Sequence, residues 1–153
     1  MYTTSRRWHV PAILTVLALV ASPIARLSAQ SYARTVWEQL DRAYNRVSSN
    51  GFTTRNYILG RLDEGDTDTW TLTLYGGNDY KVVGACDGDC QDVDLFVDND
   101  NGKTLASDES RDDAPVANVH IDDTGSYKFR VKMYTCKENP CYYGIAIFFK
   151  KSS

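Results

Sequence analysis

The sequence predicts a mainly β domain, an eight-stranded antiparallel sandwich or small barrel, entered through one amphipathic helix. Three observations carry this reading. Beyond Gly51 the apolar residues recur with period two, the spacing of half-buried strands. Clusters of Gly, Asn and Asp interrupt that alternation about every ten residues, as turns do. Apolar residues recur at helical spacing in only one stretch, just before Gly51.

The chain in order begins with the features of an export signal over 1–29. Arg6 and Arg7 form a positive n-region, residues 12–21 an apolar run, and Pro23 ends it. Leu27-Ser28-Ala29 before Gln30 is an acceptable small-residue cleavage site. The run falls short of the ~20 residues a spanning helix needs. The expectation is an exported protein, periplasmic or extracellular, with no stable membrane insertion once the signal is removed. Residues 30–50 read as the helix. Val36, Leu40, Tyr44 and Val47 form its stripe, widened by Trp37 and Ala43, with Glu38, Asp41, Arg42 and Arg46 opposite and Asn50-Gly51 as the stop. The stripe reads as a face docked on the sandwich.

Residues 51–153 form the β-domain. Strands are expected at 56–62, 69–75, 80–85, 92–98, 103–106, 116–121, 125–134 and 142–150. Asp63-Glu64-Gly65-Asp66, Gly76-Gly77-Asn78-Asp79 and Asn99-Asp100-Asn101-Gly102 supply turns. The 92–98 strand is the most sharply patterned. Val93, Leu95 and Val97 point to one face and Asp92, Asp94, Phe96 and Asp98 to the other. The first set is expected in the core, and the second as an acidic face in solvent.

Charge and cysteine usage narrow the partners. The expected signal holds three of the 17 Lys and Arg and none of the 20 Asp and Glu, so the remainder is more acidic than the formal −3 of the whole chain. Like charge disfavours nucleic acid and anionic lipid as partners. All four cysteines lie beyond the signal, as Cys86-x3-Cys90 and Cys136-x4-Cys141. In an exported chain an even count points to disulfides. Three pairings are open. The two local ones are preferred, because each pair brackets a turn. Zinc is the alternative use of four thiols, but these spacings are not the usual x2 knuckles.

Residues 57–149 resemble the bacterial pre-peptidase C-terminal domain. The matching pieces are Gly60-Arg61-Leu62, Asp68-Thr69-Trp70-Thr71-Leu72, Asp92-Val93-Asp94-Leu95-Phe96-Val97, the run from Asp98 to Ser107, Thr124-Gly125-Ser126-Tyr127 and Tyr142-Tyr143-Gly144. The resemblance implies a jelly-roll-like β-sandwich of secreted proteins, with the Asp-x-Asp-Leu strand in a central sheet and a cation site near Asp92 and Asp94. The cysteine pairs, the helix and the lack of a peptidase domain depart from that family. The competing topology is an immunoglobulin-like sandwich, for which Asp123-Thr124-Gly125-Ser126-Tyr127 supplies a tyrosine-corner pattern.

The acidic stretch is the main concentration of chemistry. Calcium takes six to eight oxygens, and carboxylates crowded in space meet that need. Asp92 and Asp94 sit about 7 Å apart along one strand face. Asp108 or Asp112, from the acidic loop after the fifth strand, is placed to close a site. The candidate metal ligands are therefore Asp92, Asp94, Asp108 and Asp112, and the implied cofactor is calcium. The plainer reading is a solvated acidic edge that blocks strand pairing. The alignment excludes an EF-hand, since Gly102 in its sixth position puts Val97 first. Enzyme signals are sparse. No G-x-S-x-G, HExxH or phosphate loop is present, and His120 is the sole histidine past the signal. The expected function is a non-catalytic exported binding or accessory module with a protein or carbohydrate partner. A hydrolase using paired carboxylates, as glycosidases do, is the alternative.

Overall fold

A computed structural model describes residues 23–152. The n-region and apolar run of the expected signal lie outside those residues. The first element, α1, spans Pro23–Ser48, and eight strands follow: β1 Thr53–Leu62, β2 Thr67–Leu74, β3 Asn78–Cys86, β4 Cys90–Asn99, β5 Thr104–Asp108, β6 Val116–Ile121, β7 Gly125–Cys136 and β8 Cys141–Lys151. Every strand expected from the alternation is present, most of them longer by one to three residues. The helix is the larger difference, for it is already present at Pro23, the first described residue, rather than from residue 30.

The strands form two four-stranded antiparallel sheets, ordered β1-β8-β3-β6 and β2-β7-β4-β5. This is an eight-stranded jelly-roll order. The immunoglobulin-like alternative fails on the first pairing, because β1 lies beside β8 and not beside β2. The tyrosine corner is nevertheless built, with the Tyr127 hydroxyl donating to the Asp123 carbonyl at 2.8 Å.

Period two sorts each strand between two environments. Val93, Leu95 and Val97 of β4, Phe129, Val131 and Met133 of β7, and Tyr143, Ile145 and Ile147 of β8 fill the space between the sheets. The alternate residues of β8 and β3, among them Ala146, Phe148, Val83 and Ala85, face outward and would be bare without the helix. Val36, Leu40, Ala43 and Val47 of α1 cover them in a second apolar cluster. The expected stripe is thus a docked face. Trp37 and Tyr44 stand at its margins, with Trp37 edge-on to Tyr57 at 5.0 Å. Gly144 lets the helix come this close. A Cβ there would lie 2.8 Å from Leu59 Cδ2 and Val36 Cγ1, and 2.9 Å from Leu40 Cδ1.

Both local disulfides form, Cys86–Cys90 and Cys136–Cys141. The first closes the β3–β4 turn. Inside it the Asp87 carboxylate accepts from the backbone N–H groups of Asp89, Cys90 and Tyr142, fixing the turn to β8.

Candidate binding face

The outer face of the β1-β8-β3-β6 sheet is sealed by α1, and the outer face of the β2-β7-β4-β5 sheet is left clear of the helix. Strand register lays that second face out in columns. Thr67, Thr69 and Thr71 of β2 stand beside Lys132, Arg130 and Lys128 of β7. Those three cations in turn stand beside Asp94, Phe96 and Asp98 of β4. Each rung therefore reads hydroxyl, cation, and then carboxylate or aromatic ring.

The cations hold the middle of the face rigid. Arg130 donates through Nε and Nη2 to the two carboxylate oxygens of Asp98. The Thr104 hydroxyl adds a third bond to Asp98, at 2.6 Å. The Arg130 hydrogen bond, helped by Thr104 and opposed by burial, holds the Asp98 carboxyl below its ordinary range. The same guanidinium lies 4.2 Å from the centre of the Phe96 ring, a close cation–π contact. Lys132 reaches over the Tyr134 ring at 4.9 Å. Tyr134 itself is 52% exposed and is the most open aromatic on this face.

The acidic face is therefore not the solvated surface expected. Asp92, Asp94 and Asp98 are only 5%, 7% and 3% exposed. β4 is also no edge, since it lies between β7 and β5. The cause is twofold. β7 brings a cation beside each of Asp94 and Asp98, and the loop after β5 folds over the start of β4, where the Asp112 carbonyl accepts from the Val93 N–H at 3.1 Å.

The four expected ligands divide into two pairs. Asp108 accepts from the N–H groups of Ser110 and Val116, and Asp112 from that of Ala114, so both hold the loop in shape. Burial pushes the Asp108 carboxyl up, but those bonds outweigh it and hold the group below its usual range. Asp92 and Asp94 are differently placed. Burial, reinforced by the charges of Asp92 and Glu109, pushes the Asp94 carboxyl above its usual range, and Lys132 only partly offsets this. The Asp92 Oδ1 atom is buried with no hydrogen-bond partner. β4 and β7 are out of step on both sides of Asp92, so the regular ladder breaks there. A cavity of about 330 Å³ opens at the break, lined by Gln91, Asp92, Arg111 and Thr135. Among the described residues, no three His, Cys, Asp or Glu side chains converge as a ready-made metal centre.

His120 is a surface group, as its strand position suggests. Its Nδ1 lies 2.8 Å from Asp79 Oδ1 and 3.2 Å from Ser152 Oγ. Its Nε2 lies 3.5 Å from Asp122 Oδ1, so carboxylates face both ring nitrogens and Ser152 shares Nδ1 with Asp79. The contact with His120 holds the Asp79 carboxyl below its usual range.

The aromatic residues mostly serve the core. Tyr143 is fully buried, its ring lying where a side chain at Gly60 would stand. Its hydroxyl donates to Asp68 at 2.7 Å and accepts from Trp70 Nε1 at 2.8 Å, and burial raises its pKa. Sequence reasoning passed over the basic column of β7. Its signal was legible, since Lys128, Arg130 and Lys132 alternate with Tyr127, Phe129, Val131 and Met133.

No protein-family model and no curated protein matches the chain. Among solved structures, it is similar to Aeromonas hydrophila PliG, a periplasmic lysozyme inhibitor of g-type lysozyme. The two share 13% identity at a TM-score of 0.49, over 62% of this chain and 85% of that one.

Proposed function

We propose that this chain is an exported, non-catalytic binding module that meets its partner with the outer face of the β2-β7-β4-β5 sheet. The observation that carries the reading is the unequal finish of the two sheets. One outer face is closed by a helix, while the other presents aligned threonines, cations and aromatics, with Arg130 at their centre held across the strands by Asp98 and Phe96. A face whose side chains are fixed before binding loses little entropy on association. Tyrosine and arginine are also the residues that anchor protein interfaces. The partner in this reading is a protein. The two disulfides fit an oxidising compartment. The resemblance to the pre-peptidase C-terminal domain belongs to the same reading, supported by the jelly-roll order of the two sheets that it implies.

The test compares envelope-protein binding by the wild type, by Tyr134→Ala with Lys132→Ala, and by Tyr44→Ala on the helix. The reading expects the double variant to lose at least tenfold in affinity, with Tyr44→Ala unchanged. Turnover of glycosides by the wild type, lost in Asp94→Asn, would replace it with the hydrolase alternative.

A further inference from the structure

We infer that β2 is a docking edge for a second copy of this chain, the two β2 strands pairing antiparallel about a two-fold axis at Thr71. β2 and β5 are the edges of the clear sheet, and β1 and β6 those of the other. A strand edge exposes unpaired N–H and C=O groups, and folds ordinarily guard it with charge, shortness, a bulge or proline. Three of these four edges are guarded. β1 has a register shift between Thr54 and Asn56, with Arg55 and Arg61 along it. β5 is five residues long, and its pairing with β4 slips once. β6 has six residues and runs into Asp122 and Asp123. β2 instead keeps eight residues in step with β7 and contains no Lys, Arg, Pro or Gly. Its one charged residue, Asp68, accepts from the Tyr143 hydroxyl.

Backbone parity sets which groups face the open side. The Met133 N–H donates to the Asp66 carbonyl at 3.0 Å, and bonded pairs alternate along an antiparallel ladder. Asp68, Trp70, Leu72 and Leu74 therefore bond toward β7, while Thr67, Thr69, Thr71 and Thr73 turn their backbone groups to the open edge. Arg55 Nη2 donates to the Thr73 carbonyl at 3.3 Å, an exposed bond at the strand end that an incoming strand would displace.

The side-chain pattern selects a second copy as the occupant. Trp70 is 38% exposed, its ring fixed at the edge by the bond from Nε1 to Tyr143, and Leu72 is only partly buried on the same inner side. With Thr71 on the axis, Trp70 of each copy stands opposite Leu72 of the other, and each covers what the other leaves open. On the outer face Thr69 stands opposite Thr73, a favourable cross-strand pair. Asp68 stands opposite Leu74, so no like charges meet. Every contact repeats across the axis, which closes the assembly at two copies.

The experiment is sedimentation of the exported chain over a hundredfold range of concentration, with no partner present. The mass should rise from one chain toward two. Thr71→Glu tests the axis. Thr71 is exposed beside Lys128, so a single glutamate suits the monomer, but two would stand directly opposite in the pair. That variant should self-associate at least tenfold more weakly, and Thr71→Lys likewise. Their equimolar mixture should dimerise again, which a loss of folding would not allow. Asn118→Glu, on the β6 edge, should dimerise as the wild type does. A wild type that stays monomeric, a dimer indifferent to Thr71→Glu, or a mixture that stays monomeric would overturn the assignment. Tyr134→Ala with Lys132→Ala should leave the dimer intact, so the partner-binding reading stands or falls separately.

Discussion

Removing one leucine tests whether α1 belongs to the folded domain. Leu40 is fully buried between the helix and the outer face of β8. Leu40→Ala deletes three carbons, about 2.4 kcal/mol of transfer free energy at ~0.8 kcal/mol per buried methylene. A cavity term adds to this, so a loss of about 3–4 kcal/mol is expected. Gly144→Ala attacks the same contact from the opposite side. Its Cβ would stand 2.8–2.9 Å from the tips of Leu59, Val36 and Leu40, and such overpacking costs about 1–3 kcal/mol. The two changes should not add. With Leu40 shortened, one of the three crowding atoms is gone and the new methyl enters vacated space, so the double variant should lie at least ~0.5 kcal/mol above the sum. Urea titrations of the four proteins give the cycle. Strict additivity, or a Leu40→Ala loss below about 1 kcal/mol, would refute the docking of the helix.

Other expectations follow from the core and the ion pairs. Leu95→Ala, in the middle of β4 at 0% exposure, should cost about 2–5 kcal/mol by urea titration. Tyr143→Phe leaves Asp68 and Trp70 without their shared hydroxyl and should cost about 1–3 kcal/mol, read as a drop in Tm. The Asp98 carboxyl titrates below its unfolded value, so its pairing stabilises the fold above the ordinary carboxylate range and is lost as pH falls through the lowered value. Asp98→Ala should therefore flatten the acid side of the stability profile measured by melts from pH 2 to 7. Peptide mapping of the non-reduced protein should recover Cys86 with Cys90 and Cys136 with Cys141. Each short bridge should contribute about 2 kcal/mol in the chain-entropy model.

The strands were legible because period two is a local property. Residues 92–98 state their two faces without reference to any neighbour, and Val93, Leu95 and Val97 are buried as that pattern requires. The helix stripe was legible for the same reason. The helical residues before position 30 were not legible, because the apolar run and Pro23 there read as the end of an export signal. The state of the acidic face was hidden by distance along the chain. Asp98 is neutralised by Arg130, 32 residues away, and only the β4–β7 pairing brings them together. The bare oxygen of Asp92 depends on local breaks in that pairing, for which no turn signal or glycine in β4 gives warning. Asp108 and Asp112 looked equivalent to Asp92 as carboxylates, yet both oxygens of Asp108 and Oδ1 of Asp112 are taken by loop amides.

Site-specific photocrosslinking in living cells tests most directly which face meets the partner. A photoreactive residue replaces Tyr134 on the clear sheet face, or Tyr44 on the helix, one at a time. Both positions are exposed, at 52% and 37%, Tyr44 at the margin of the helix stripe with its ring 6.3 Å from that of Phe148. The account predicts a discrete protein adduct from position 134 and none from position 44. An adduct from position 44 with none from 134 would place the partner on the helix and contradict it.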